Sequence, residues 1–137
     1  MKKIPLGTTD ITLSRMGLGT WAIGGGPAWN GDLDQQICID TILEAHRCGI
    51  NLIDTAPGYN FGNSEVIVGQ ALKKLPREQV VVETKCGIVW ERKGSLFNKV
   101  GDRQLYKNLS PESIREEVEA SLQRLGIDYI DIYMTHW

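Results

Sequence analysis

The sequence predicts an α/β protein of parallel βα units, amounting to the first half of a TIM-type (β/α)8 barrel. Short β-branched runs alternate with amphipathic stretches of helical period, which is the pattern of right-handed βαβ crossovers and a parallel sheet. The chain has 137 residues, a little over half of the roughly 250 that a complete barrel needs. Its last legible strand is not followed by a covering helix. An open doubly wound sheet shares the alternation and competes with this reading. The expected organisation is one unit over 1–137. A hairpin cap spans 2–15, strands 1–4 with helices 1–3 span 16–137, and a C-terminal half-barrel is absent.

Lys2 to Arg15 reads as the hairpin, with a Gly-Thr-Thr-Asp turn between Lys-Ile-Pro-Leu and the alternating Ile-Thr-Leu-Ser. Pro5 suits an edge strand, where a missing N–H costs little. Met16 to Trp21 reads as a short buried strand, and Gly24-Gly25-Gly26-Pro27 breaks regular structure into a mobile pocket-edge loop. A helix is expected from about Asp34 to Cys48, with Cys38, Ile42 and Ala45 on one stripe and Ile37 and Thr41 beside it. Gly49 stops it, and Ile50 to Asp54 follows as a strand. Ser64 is the expected N-cap of a second helix running through Val68 and Leu72 to Leu75, ended by Pro76. Val80 to Lys85 is the clearest strand. Cys86 to Leu109 reads as a polar loop of about 24 residues, long enough to be functional or mobile. Ser110-Pro111-Glu112 opens a third helix with Ile114, Val118, Leu122 and Leu125 on its stripe, and Gly126 closes it. Ile130 to Met134 is the last strand, leading into Thr135-His136-Trp137.

Composition removes several classes of function. Lys and Arg total 15 against 17 Asp and Glu, so no basic excess points to nucleic acid. No apolar run approaches a membrane span, and the charged N-terminus lacks the apolar core of a signal peptide. The three cysteines, Cys38, Cys48 and Cys86, lack disulfide or metal-ligand spacing, which fits a reducing cytoplasm and no metal site. Gly17-x-Gly19-x-x-Ala22 fits the loose dinucleotide fingerprint, but the glycines and proline behind it cannot open the helix that fingerprint requires. Arg92, Lys93, Lys99, Arg103 and Lys107 make the long loop basic, and its default reading is a solvated loop.

Chemistry concentrates at the strand ends. Asp54, Lys85 and His136 finish three consecutive strands, and Tyr59 lies in the loop after Asp54. In parallel α/β folds these ends converge on one face, where ligands bind. A phenol titrates at about 10; an adjacent ammonium stabilises its phenolate and makes it a usable acid at neutral pH. A carboxylate such as Asp54 keeps that ammonium charged, and a histidine N–H can orient the oxygen that receives the proton. A carbonyl accepting hydride has these requirements.

The chain resembles the aldo-keto reductases. The resemblance rests on Gly17-Leu18-Gly19-Thr20-Trp21, Asn51 to Tyr59, Glu83-Thr84-Lys85 and Asp131 to Trp137. It implies a barrel whose bottom is plugged by the hairpin. It also implies reduction of aldehydes and ketones, 2-oxoaldehydes such as methylglyoxal among them, by NADH or NADPH bound without a Rossmann fold. Carried over by position, Tyr59 is the acid, Lys85 and Asp54 its tuning pair, and His136 the group that orients the carbonyl. Gly19, Thr20, Trp21 and Asp54 are cofactor contacts, and Trp21, Tyr59 and His136 line the substrate pocket. The partner expected is a small carbonyl substrate, with no nucleic acid and no membrane. The pyrophosphate and adenosine positions of the resemblance fall outside this chain, so the missing half-barrel or self-association is needed as well. A non-catalytic, self-associating half-barrel is the competing reading.

Overall fold

Two antiparallel strands open the chain, β1 (Lys3–Pro5) and β2 (Thr12–Ser14), with Ile4 opposite Leu13. Asn51 ties them to the rest of the protein. Its side-chain oxygen accepts from the Ser14 N–H at 2.6 Å, its amide donates to the Thr12 carbonyl, and its own N–H reaches the Ser14 hydroxyl. Because Asn51 immediately precedes a strand of the main sheet, the hairpin sits at the N-terminal end of that sheet. The structure, a computed structural model, describes residues 1–31, 33–90 and 92–136; Trp137 of the expected rim motif lies outside the described residues.

The main sheet holds β3 (Gly17–Gly19), β4 (Leu52–Asp54), β5 (Val81–Cys86) and β9 (Ile132–Thr135), all parallel and in sequential order. That order decides between the two expected architectures. A doubly wound sheet reverses its strand order part-way, which puts helices on both faces. Here every crossover steps the same way. The helices α1 (Gln35–Arg47), α2 (Asn63–Leu72) and α3 (Pro111–Leu125) accordingly pack in series, α1 on α2 and α2 on α3. The result is part of a barrel wall.

Local signals explain the helix ends. The Asp34 carboxylate accepts from the Ile37 N–H, and the Ser110 hydroxyl accepts from Ser113 N–H with Pro111 in the first turn. The second helix departs from expectation. It starts at Asn63 after Gly62, whose φ of 87° requires glycine, and it ends at Leu72, short of Leu75. Ser64 is not its cap: the hydroxyl is buried and bonded to Thr20 and Thr55, which removes it from the helix terminus. At Gly69 a Cβ would come within 2.5 Å of the Leu125 carbonyl oxygen, so glycine is what lets α2 and α3 touch.

The apolar core lies between helices and sheet, built on Cys38, Ile39 and Ile42 of α1, Val68 and Leu72 of α2, and Ile53 and Val82 of the strands. Ile39 faces inward beside the expected stripe, whereas Ile37, expected to flank it, is exposed. The buried face of α3 is also turned by one position. Ser113, Glu117, Ser121 and Leu125 are buried while Ile114, Val118 and Leu122 are half-buried. The polar side chains are there because they satisfy groups of the sheet layer. Glu117 accepts from Gly87 N–H and from the Ser113 hydroxyl, and the fully buried Glu65 of α2 takes hydrogen bonds from Thr84 and Arg124.

The largest correction falls on residues 86–109. They form a second, antiparallel sheet, β6 (Ile88–Val89), β7 (Ser95–Val100) and β8 (Arg103–Lys107), in the order β6-β8-β7. A two-residue Gly101-Asp102 connection, with Gly101 at φ 59°, makes β7 and β8 a tight hairpin.

Candidate active site

Alternation along the parallel strands aims the site. Ile53 and Val82 point into the helix-covered core, so Asp54 and Lys85, an odd number of residues further along, point to the opposite face. The register pairs Asp54 with Glu83, which lifts Lys85 two residues beyond it toward the carboxyl-terminal rim. His136 follows β9 directly, and its N–H donates to the Cys86 carbonyl at 2.8 Å. Backbone pairing alone therefore brings three of the expected residues to one rim.

The side chains complete the cluster. The Lys85 ammonium forms an ion pair with Asp54 Oδ1, donates to the Thr55 carbonyl at 2.8 Å and to the Tyr59 phenolic oxygen at 3.2 Å. The His136 ring stands edge-on to the Tyr59 ring with centroids 5.7 Å apart. Burial opposes the charge on Lys85, yet the hydrogen bond and charge of Asp54 outweigh it and hold the ammonium above the ordinary lysine range. Burial also pushes the His136 imidazole below its ordinary range, the Lys85 charge adds to this, and Asp54 offsets part of it. At neutral pH the site thus pairs a charged lysine with a neutral histidine. Glu83 lies on the same face and is raised by burial and by Asp54.

Tyr59 is placed by a contorted loop. Its N–H donates to Ala56, Gly62 N–H closes back on Pro57, and the two residues between, Asn60 and Phe61, both sit at positive φ (51° and 53°). Left-handed backbone is costly for a bulky residue such as Phe61. The Asn60 and Asn63 side-chain amides both donate to the Gly24 carbonyl at 2.9 Å. The glycine loop at 24–26, expected to be mobile, is fastened to the Tyr59 loop by these bonds.

The remaining expected residues divide. Trp21 is half-exposed at the rim, edge-on to Trp29 at 5.2 Å and tilted against Tyr59 at 6.3 Å. Gly19 is exposed and pairs with Asp54, and a Cβ there would meet nothing within 4 Å. Thr20 turns its side chain inward: it is fully buried, and its hydroxyl donates to the Asp54 carbonyl and bonds Ser64, which holds the loop in place.

Beside Tyr59 opens a cavity of about 420 Å³, within the range of small-molecule sites. Trp21, Tyr59 and His136, the three residues expected at a substrate pocket, line this cavity, and Phe97, Val100 and Leu105 of the antiparallel sheet close it. Those last three were missed, together with Asn60 and Asn98. Three of the five basic residues of this segment are engaged: Arg92 with Glu116, Arg103 over the Phe61 ring at 3.9 Å, and Lys107 over Phe97 at 5.1 Å. Among the described residues no group of three or more His, Cys, Asp or Glu is placed to hold a metal ion. No helix among them is long and apolar enough to cross a membrane.

Known proteins carry the same arrangement of elements. Over all 137 residues the chain is 98% identical to a protein named NADH-specific methylglyoxal reductase from Escherichia coli (strain K12), of which it covers 42%. It superposes on a glycerol dehydrogenase from Gluconobacter oxydans with a TM-score of 0.78 at 41% identity, covering 98% of this chain and 39% of that one. For an aldo-keto reductase from Bacillus halodurans in its holo form the TM-score is 0.80 at 35% identity, covering 99% and 40%. The chain spans about two-fifths of the length of these proteins. Residues 15–137 match the profile of the Aldo/keto reductase family, and with strand ends, loop and rim cluster placed as described, the chain belongs to that family.

Proposed function

We propose that this chain supplies the proton-donating rim of an NAD(P)H-dependent carbonyl reductase, with Tyr59 as general acid. The observation that carries the reading is the Lys85 ammonium, bonded at once to the Asp54 carboxylate and the Tyr59 phenol. The cofactor, when bound, would supply the hydride that the carbonyl carbon accepts. As negative charge gathers on the carbonyl oxygen, Tyr59 gives it a proton and becomes a phenolate facing the ammonium. Asp54 keeps that ammonium charged at a position where its side chain is only 12% exposed. His136, held neutral, donates an imidazole N–H to the same carbonyl oxygen and fixes its direction.

The donor set fits the nicotinamide-ribose end of the cofactor. Asp54 remains about one-third exposed beside Gly19, whose missing side chain leaves open space, and Trp21 offers an aromatic surface at the same rim. The name borne by the 98% identical protein supports NADH and methylglyoxal as the first pair to assay. A reducing, cytoplasmic setting agrees with the three free cysteines.

The intact polypeptide, given NADH and methylglyoxal, is expected to lower the nicotinamide absorbance. Tyr59→Phe removes only the hydroxyl and should cut kcat by about 100-fold or more; undiminished turnover in that variant would exclude Tyr59 as the acid. A second proposal rests on the sheet edges. Among the described residues β3 and β9 each have one hydrogen-bonded neighbour. Further βα units or a second copy of the chain would cover them, and a self-associating half-barrel without turnover is the alternative this leaves.

A further inference from the structure

We propose that the β7–β8 hairpin is the selectivity wall of this site, and that Arg103 holds it in place through Phe61. The site is thereby committed to carbonyl compounds bearing an apolar substituent. The inference rests on the carbonyl-reductase reading for its substrate class and on separate observations for the wall.

The first observation is a break in the β7–β8 pairing. Leu96 opposes Tyr106 and Asn98 opposes Leu105, so Phe97 is an extra residue in β7. On a regular strand neighbouring side chains point to opposite faces, whereas a bulge re-aims them. This one lets Phe97 and Asn98, adjacent in sequence, both line the cavity, with Val100 and Leu105 beside them. Three of these four side chains are apolar, and the Asn98 side-chain oxygen already accepts from the Lys99 N–H. The hairpin therefore offers a substrate mainly hydrocarbon surface, while the polar groups Tyr59 and His136 come from other elements.

The second observation is how the wall is fixed. The Arg103 guanidinium, at the first position after the turn, stacks on Phe61 at 3.9 Å. Phe61 is edge-on to Trp90 at 5.6 Å, and Arg124 of α3 lies 5.9 Å from the same Trp90 ring. A continuous chain of cation and ring contacts thus links the hairpin tip to the helix layer. Phe61 holds a left-handed backbone that its bulk disfavours, in the loop that carries Tyr59. Two contacts bracket that conformation, the Gly62 N–H bond to the Pro57 carbonyl across the turn and Arg103 on the ring.

The test uses the intact polypeptide with NADH and compares kcat/KM for hexanal and propanal. A preference for hexanal of about tenfold or more is expected from the added methylenes. Arg103→Ala should bring the ratio close to one, mainly through KM for hexanal, and Arg103→Lys should restore much of it because a cation returns to the ring. Phe97→Ala, which leaves the latch in place, should also flatten the ratio. An undiminished ratio in Arg103→Ala or Phe97→Ala overturns the proposal. If Arg103→Ala loses its cooperative thermal unfolding, Phe97→Ala alone decides. Should no carbonyl be turned over at all, the reductase reading fails separately. The wall is then read from tryptophan-fluorescence titrations with hexanol and propanol, where the same variants should flatten the affinity ratio and an unchanged ratio counts against it.

Discussion

Burial acts on Lys85 and His136 alike by disfavouring their charged forms, and pairing then separates them. Asp54 returns Lys85 to the charged state, whereas the nearby ammonium drives His136 further from protonation. The consequences for stability have opposite signs. Below about pH 6.5 an unfolded histidine binds a proton that the folded His136 refuses, so stability falls as pH drops toward the lower folded value. Above about pH 10.4 an unfolded lysine loses a proton that folded Lys85 keeps, so stability falls as pH rises through that higher folded value. Thermal midpoints measured across both windows should show the two declines. His136→Gln should remove part of the acid one, and an identical acid slope in the variant would contradict this assignment. The grouping of Asp54, Lys85 and His136 was legible because strand ends in a parallel sheet have one destination, and that of Tyr59 because its loop leaves the same end at Asp54. The direction of the Thr20 side chain was not, because the sequence does not say whether a rim hydroxyl turns out to a ligand or back to Ser64.

Elements with a strong local signal followed their sequence. The capped helices α1 and α3 and the β-branched β5 needed no tertiary information. The antiparallel sheet was hidden by two things. Charged residues mask its alternation, and the bulge at Phe97 interrupts it. Gly101-Asp102 between two extended runs was the usable signal. The shifted face of α3 was equally invisible, since Ser113, Glu117 and Ser121 are buried for the bonds they make and not for their hydropathy. Contact between elements yields a prediction of its own. Gly69→Ala puts a methyl group against the Leu125 carbonyl and forces α2 from α3, so denaturant unfolding should report a loss of about 1–3 kcal/mol. An unchanged midpoint would mean that the helices part without cost.

For the whole molecule the sequential strand order matters most. Each βα step adds one strand to the same edge, so among the described residues β3 and β9 stay at the outside with backbone groups ready to pair. Expressed by itself, the 137-residue chain should sediment as a dimer or larger species; a well-folded monomer at micromolar concentration would rule out edge pairing as its way of burying those strands. The two sheets also divide the labour of the site. In the function proposed above, proton transfer rests on Asp54 and Lys85 of the parallel strands and on Tyr59 of the loop after Asp54, whereas the surface proposed to judge the incoming molecule belongs to a ribbon hydrogen-bonded chiefly to itself. On that proposal the ribbon behaves as a cassette: its length and apolar lining can vary, provided that the contact of Arg103 with Phe61, in the loop that carries Tyr59, is kept.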